Sequence, residues 1–456
     1  MEFIPFYLAC LAHASYLVGD RRTGDAAVID PQRDIDQYLA AAAERRLTIR
    51  HVLLTHFHAD FIAGHLALAK RLGATIHLAA GAQAEFPFHP LADGEALVLG
   101  DVALRALHTP GHTPESMTLL LEEGGRPVRA LTGDTLFVGD VGRPDLLASL
   151  GASAEDLATS LHASIQRLLA LPDEVEVWPA HGAGSLCGRA LGPGRNSTIG
   201  TERRANWALQ PMPTAEFVQR VTTDLPVAPA YFAHDAVMNR TSFIAEPPVT
   251  AALTTVDFLA TRSAGAVVLD VRDGTAFAGA HLDGALNVPL DGPFATHVGQ
   301  IVDPDRDLLL IADPGREAEA ATRLGRIGFD HLRGHLAGGM AALADSAALL
   351  RTHRRWDAAA LKTAMAAANP PLIVDVRNAA ERAKGAIPDS VHLPLADLRT
   401  QWNKLPHDRE LVVHCAGGYR SAVATAWLTA QGLVAGDLLG GYGAWNGIGT
   451  TCSSKG

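Results

Sequence analysis

Apolar residues in the first half of the chain fall into short runs separated by turn residues and by stretches of helical spacing. Ala26-Ala27-Val28-Ile29 is a continuous apolar run closed by Asp30-Pro31, the pattern of a buried strand ended by a turn. From Ile35 to Arg45 the apolar positions recur at helical spacing. His51-Val52-Leu53-Leu54 reads as another short buried strand, and it delivers a cluster of polar side chains at its end. Strand and helix alternating over roughly 210 residues predict an α/β layered domain.

A Pro-rich connection follows, from Leu225-Pro226 to Glu246-Pro247-Pro248, and reads as a linker or strap. Beyond it the chain repeats itself. Val268-Leu269-Asp270-Val271-Arg272 recurs as Ile373-Val374-Asp375-Val376-Arg377, and Asn287-Val288-Pro289-Leu290 as His392-Leu393-Pro394-Leu395, each 105 positions later. Gly338-Gly339 near the end of the first copy matches Gly440-Gly441 near the end of the second. The pattern predicts three domains, 1–245, 246–350 and 351–456, the last two being homologous α/β modules.

Composition narrows the partners. A formal net charge of −11 over 456 residues argues against nucleic acid, whose phosphates need a basic face. The N-terminus has no basic stretch ahead of an apolar run, and no apolar stretch reaches the ~18 residues a membrane span needs. The expectation is a cytoplasmic enzyme without membrane contact. The four cysteines, Cys10, Cys187, Cys415 and Cys452, form no CxxC pair, which suits a reducing compartment rather than a disulfide framework. Cys10 and Cys452 belong to no motif, and Cys452 lies in a Ser/Gly tail.

The strongest local signal is Thr55-His56-Phe57-His58-Ala59-Asp60-Phe61, an H-x-H-x-D cluster at the end of a predicted strand. Downstream come Thr109-Pro110-Gly111-His112-Thr113, Leu131-Thr132-Gly133-Asp134-Thr135 and Trp178-Pro179-Ala180-His181-Gly182, each with one His or Asp beside a glycine. Taken singly, each has an ordinary reading, as a surface pair or a turn residue. In this order they predict one metal centre, because imidazole and carboxylate are the ligands that divalent zinc or iron accepts.

This set resembles the metallo-β-lactamase fold, whose motif order is H-x-H-x-D-H followed by His, Asp and His. The resemblance covers about 200 residues and implies an αββα architecture for the first domain. At the sixth position of the first motif, where that fold carries a ligand of a second metal, this chain has Phe61, which favours a single metal. The persulfide dioxygenase branch of the fold holds one iron through two His and one Asp. Carried over position by position, the resemblance implies one Fe(II) per chain on His56, His112 and Asp134, with zinc as the alternative. That triad leaves open positions for substrate and oxygen. His58, Asp60 and His181 are then candidates to orient the ligands or to hydrogen-bond the substrate. Arg143, in Gly142-Arg143-Pro144-Asp145, has two readings: a partner for a carboxylate or for the forming sulfite, or a structural tie to Asp145. Cys187 also has two, a thiol that accepts or presents sulfur beside the metal, or a small buried apolar residue.

In the second repeat, Leu411-Val412-Val413-His414 runs into Cys415-Ala416-Gly417-Gly418-Tyr419-Arg420-Ser421, and a helical run from Ala422 to Leu428 follows. Such a loop turns successive backbone N–H groups inward at a helix N-terminus, which favours a thiolate and cradles an anionic sulfur species. Cys-x5-Arg alone would also fit a phosphatase; the flanking Asp375-Val376-Arg377, Gly440-Gly441 and Trp445 decide for a resemblance to rhodanese sulfurtransferases. That resemblance implies Cys415 as the sulfane-sulfur carrier and Arg420 as the residue that orients the loop or neutralises the anion. Ala416, Gly417, Gly418, Tyr419 and Ser421 complete the anion-binding loop. In the first repeat the corresponding stretch is Ile311-Ala312-Asp313-Pro314-Gly315-Arg316-Glu317. The cysteine position falls on Ala312 or Asp313, depending on where the gap is placed, and Trp445 is matched by Leu343. This copy carries no cysteine and reads as a pseudo-rhodanese with a packing or orienting role, in which Asp313 and Glu317 would repel anions.

The whole order resembles multidomain persulfide dioxygenase–sulfurtransferases. It implies oxidation of a low-molecular-weight thiol persulfide by O2 to sulfite, sulfur transfer from Cys415 to sulfite giving thiosulfate, a role in sulfide detoxification, and a homo-oligomer. Two rival readings stand beside it. A zinc thioester hydrolase like glyoxalase II, fused to a sulfurtransferase, is disfavoured by Phe61. A non-catalytic sulfur-binding module is disfavoured by the complete triad.

Overall fold

Ala14, Tyr16 and Val18 leave one face of the strand His13–Gly19 and Leu17 leaves the other, and both faces are buried. A strand covered on both sides belongs to a layered core, and the computed structural model shows that core. It describes residues 1–456 except 147, 149, 150, 152, 190, 226, 227, 230, 243–247 and 451–456. Cys452 and part of the Pro-rich connection therefore lie outside the described residues.

The chain forms two compact units, Met1–Pro247 with Gly325–Gly328, and Pro248–Leu324 with Phe329–Gly456. In the first unit, six strands lie in sequence order: Glu2–Leu8, His13–Gly19, Asp25–Ile29, Thr48–Leu53, Thr75–Ala79 and His89–Leu91. A second sheet is ordered Ser197–Thr198, Glu176–Pro179, Arg126–Gly133, Met117–Glu123, Val102–His108 and Ala96–Leu99. Tyr16, Ile29 and Leu53 of the first sheet meet Leu104, Leu119 and Leu131 of the second in one core between the sheets. The outer face of the first sheet packs on Tyr38, Ala42 and Leu68 from the helices Asp36–Glu44 and His65–Leu72. The outer face of the second packs on Leu161, Ile165 and Phe217 from the helices Ala154–Leu168 and Thr214–Thr222. The layers are helix, sheet, sheet, helix.

The expected strand at 26–29 and helix at 35–45 appear as Asp25–Ile29 and Asp36–Glu44. The strand expected at 51–54 starts earlier, at Thr48, because Thr48, Ile49 and Arg50 alternate exposed, buried, exposed, a pattern that a search for continuous apolar runs passes over.

The second unit carries the repeat. Its two five-stranded parallel sheets have the same order: Ala252–Leu253, Leu332–Leu336, Leu308–Ile311, Val267–Asp270, Leu286–Asn287, and Arg355–Trp356, Ala435–Leu438, Leu411–His414, Leu372–Asp375, Val391–His392. In each copy the aspartate that ends a central strand, Asp270 or Asp375, accepts hydrogen bonds from the backbone and the guanidinium of the arginine two residues on, which ties off the turn. Among the described residues no helix is long and apolar enough to cross a membrane.

Candidate functional site

The histidines and aspartates singled out in the first domain all follow the C-terminal ends of strands. His56, His58 and Asp60 follow Thr48–Leu53, His112 follows Val102–His108, Asp134 follows Arg126–Gly133, and His181 follows Glu176–Pro179. His56, His112 and Asp134 are buried and offer ligand atoms that all lie within 4.8 Å of one another. Asp134 Oδ2 is 3.8 Å from His56 Nε2 and 3.5 Å from His112 Nε2, and no hydrogen bond satisfies it. A buried carboxylate oxygen with two imidazole nitrogens beside it and no donor is the arrangement a divalent metal completes.

Each ligand-type side chain is held from behind. Thr55 donates its backbone N–H and its hydroxyl to Asp30 (2.7 and 2.9 Å), and the hydroxyl lies 3.0 Å from His56 Nδ1. His112 Nδ1 donates to the Arg143 carbonyl at 2.8 Å. Both contacts leave Nε2 facing the cluster. Asp134 Oδ1 accepts from His181 Nδ1 at 2.7 Å, while His181 Nε2 lies 2.8 Å from Asp60 Oδ2. Burial opposes charge on His181, but Asp134 and Asp60 outweigh it and hold its pKa well above the usual range. Burial likewise opposes charge on Asp134, but His181, His56 and His112 outweigh it and hold that carboxyl well below its usual range. Backbone approach is close: a Cβ on Gly142 would lie 1.8 Å from the Asp134 carbonyl, so only glycine fits there.

His58 Nε2 lies 3.0 Å from Asp30 Oδ1, outside the triad. Phe61 fills the space beside His58 with a ring that offers no ligand atom, its centroid 4.5 Å from that of His58. The Arg143 guanidinium grips Asp145 through two hydrogen bonds (2.7 and 2.6 Å), so what this residue brings to the cluster is its carbonyl. Cys187 is buried, and burial, with Asp60 and Asp134, pushes its thiol well above the usual range. Cys187, Asp60 and His181 form a second group of ligand-type atoms within 4.8 Å of one another.

Two residues here escape sequence reasoning. Asn239 donates to the carbonyls of His58 and Phe61 (2.8 Å each) and accepts from Ala63 N, clamping the loop that carries the first motif. The His13 ring lies against Phe61, tilted by 43° with centroids 4.0 Å apart, and both its nitrogens are buried without a hydrogen bond. A histidine at the head of a mostly apolar strand was the signal for the second; nothing in the pattern points to Asn239.

In the second repeat, the strand Leu411–His414 delivers Cys415, and Gly418, with φ +111°, opens the helix Tyr419–Ala430. The helix starts three residues ahead of the expected Ala422 because Gly418 makes the turn. Cys415 Sγ accepts from Gly418 N–H at 3.1 Å and from the Ser421 hydroxyl at 3.7 Å. Arg420 is bidentate to Glu381 (2.7 and 2.6 Å), which also closes a capping box with Asn378. Glu381 thus positions the arginine. In the first repeat, Ile311 pairs with Asp270 as His414 pairs with Asp375, and Gly339 crowds the Ala312 carbonyl as Gly441 crowds that of Cys415. The cysteine position is therefore Ala312. The helix Glu317–Gly325 starts five residues after Ala312, against four after Cys415, and puts Ala318 where Arg420 stands.

Comparison with known proteins extends this picture. The metallo-beta-lactamase superfamily profile matches residues 8–181, and that of the rhodanese-like domain matches twice, at 255–346 and 357–447. A crystal structure of a metallo-beta-lactamase from Staphylococcus aureus subsp. aureus COL superimposes with a TM-score of 0.67 at 34% identity, over 74% of this chain and 98% of that one. The mitochondrial persulfide dioxygenase ETHE1 of Bos taurus is 33% identical over 171 residues, 37% of this chain and 63% of that protein. A hydroxyacylglutathione hydrolase of Anaeromyxobacter dehalogenans (strain 2CP-C) is 41% identical over 159 residues, 35% of this chain and 57% of that protein.

Proposed function

For a chain that belongs to the metallo-β-lactamase superfamily and carries two rhodanese-like domains after that fold, we propose persulfide oxidation coupled to sulfur transfer. The observation that carries the reading is the triad of His56, His112 and Asp134, with Asp134 Oδ2 unpartnered and Phe61 where a further ligand would stand. One ferrous ion held by these three would supply the chemistry by which O2 oxidises a thiol-bound sulfane sulfur.

The overall change is RSSH + O2 + H2O → RSH + SO3²⁻ + 2 H⁺. Thr55 with Asp30 fixes His56, the Arg143 carbonyl fixes His112, and His181 fixes Asp134, so the ligand atoms need no rearrangement when substrate arrives. At the second site the Cys415 thiolate attacks the outer sulfur of another persulfide and RS⁻ leaves. Sulfite then attacks the Cys415-bound sulfur, releasing thiosulfate and regenerating the thiolate. Gly418 N–H and the Arg420 side chain face the negative charge carried through both steps. Sulfide detoxification is the corresponding role.

The test is metal content and oxygen uptake on one anaerobically purified sample. About one iron per chain and uptake that depends on glutathione persulfide are expected. With Cys415→Ser, oxygen uptake persists and sulfite accumulates in place of thiosulfate; thiosulfate at the parental rate would move the transfer elsewhere. A zinc-dependent thioester hydrolase is the second reading, favoured by the group Asp60, His181 and Cys187 as a second metal position. Two zincs per chain with no oxygen uptake would select it.

A further inference from the structure

The Cys415 loop does not build its own surroundings. Tyr419, four residues along from the cysteine, donates its hydroxyl to the Pro289 carbonyl of the first rhodanese-like module at 2.5 Å. Its ring lies where Gly292 leaves room: a Cβ there would be 2.5 Å from the ring, and Gly292 sits at φ +136°. Arg355, held by Asp437, donates to Thr275 Oγ1 at 2.8 Å. Between the modules lies a cavity of about 370 Å³, at the small end of the range (roughly 300–1,000 Å³) that encloses small molecules. Gly417, Gly418 and Tyr419 of the sulfur loop form one side of it. The other side is the first module, including Asp313 and Arg316 of its cysteine-free loop.

Charge is divided across this cavity. On the loop side, backbone N–H groups at a helix N-terminus favour an anion. On the first-module side the cation is already committed: Arg316 is bidentate to Asp291 (2.9 Å each) and also bonds Glu319. Asp273 caps the helix Gly274–Gly279. The Asp313 carboxylate is exposed and has no ion-pair partner among the described residues, so this wall carries surplus negative charge. A ligand that suits both sides is dipolar, with an anionic sulfur end and an ammonium group on its carrier. The cavity's size fits an amino acid or short peptide, and its acidic wall repels a phosphate-bearing carrier.

We propose that the cysteine-free module is the selectivity wall of the Cys415 site, and that Asp313 recognises the ammonium group of amino-acid or short-peptide persulfides. The proposal rests on the reading of Cys415 as the sulfur carrier and gives the carrier's chemical class. The experiment loads Cys415 of the full chain, under anaerobic conditions, from cysteine persulfide and from its desamino counterpart, 3-mercaptopropionate persulfide, and follows the rates by mass spectrometry. The parent loads about tenfold faster from the amino-bearing donor, the size of one charge-assisted hydrogen bond. Asp313→Asn brings the two rates to within about twofold of each other. A structural loss would lower both rates together and leave their ratio intact, which overturns the proposal, as does a parent that does not discriminate. A parent loaded by thiosulfate but by neither persulfide also overturns it. Failure with all three donors removes the sulfur-carrier reading of Cys415 instead.

Discussion

His13 brings two ring nitrogens into the interior and gives neither a partner. Burial, with His181 and His58 nearby, holds its pKa well below the usual range and keeps the ring neutral. A polar atom buried without a hydrogen bond costs about 1–3 kcal/mol, whereas an apolar side chain of similar volume costs nothing of this kind. His13→Met is therefore expected to stabilise the chelator-treated protein. Its thermal midpoint should rise by a few degrees, at about 2–4 °C per kcal/mol for a domain of this size. A lower midpoint would mean that the ring is hydrogen-bonded. The cluster of His56, His112 and Asp134 was legible in the sequence because His56 opens an H-x-H-x-D motif at the end of an apolar run, while His112 and Asp134 each sit beside a turn glycine. Of the two roles the sequence offered for Arg143, the fold shows the tie of its side chain to Asp145; the contact of its carbonyl with His112 was not legible, because a backbone group leaves no mark in the pattern. Asn239 was out of reach: its partners are backbone carbonyls about 180 residues away, and no spacing rule links them.

At the scale of elements, the aspartate-arginine tie at the strand end differs between the repeats. Burial opposes ionisation of Asp375, but Arg377, His414 and Arg382 surround it, and its carboxyl falls to about 2. In the first copy Phe277 stands at the position of Arg382, and burial pushes Asp270 up instead. A carboxyl whose folded pKa lies below its unfolded value of ~3.9 contributes its full stability above that value and loses it as the pH falls toward 2. Asp375→Asn should lower the unfolding free energy read from urea denaturation at pH 7 by up to about 2 kcal/mol, less what solvent screens, and the gap should narrow as the pH falls from 5 to 3. A gap independent of pH would assign the effect to packing. The repeat was readable because identical residues fall 105 apart. The start of the helix at Tyr419 was not, because it depends on the φ of Gly418 rather than on a periodic pattern.

At the scale of the molecule, self-similarity alone gave two homologous α/β modules after a first α/β domain; the αββα and rhodanese-like assignments followed from the resemblance of their motifs to known families. What each repeat does for the other did not, because the residues between them are turn residues with no periodicity. Alignment left the lost cysteine at Ala312 or Asp313; strand register resolves it to Ala312. Ala312→Cys is not expected to transfer sulfur, since the loop is a residue longer and Ala318 replaces the arginine. In the Cys415→Ser background, thiocyanate formation from thiosulfate and cyanide should stay at the blank rate; turnover above it would mean that the loop length is immaterial. A duplicate without a cysteine at this position is ordinarily free to drift. Gly292 removes part of that freedom, because any side chain there would strike the Tyr419 ring, next in sequence to Arg420. The cysteine-free copy thus remains a mutational target in its own right, and a codon more than a hundred positions upstream of Cys415 can displace the loop that carries it.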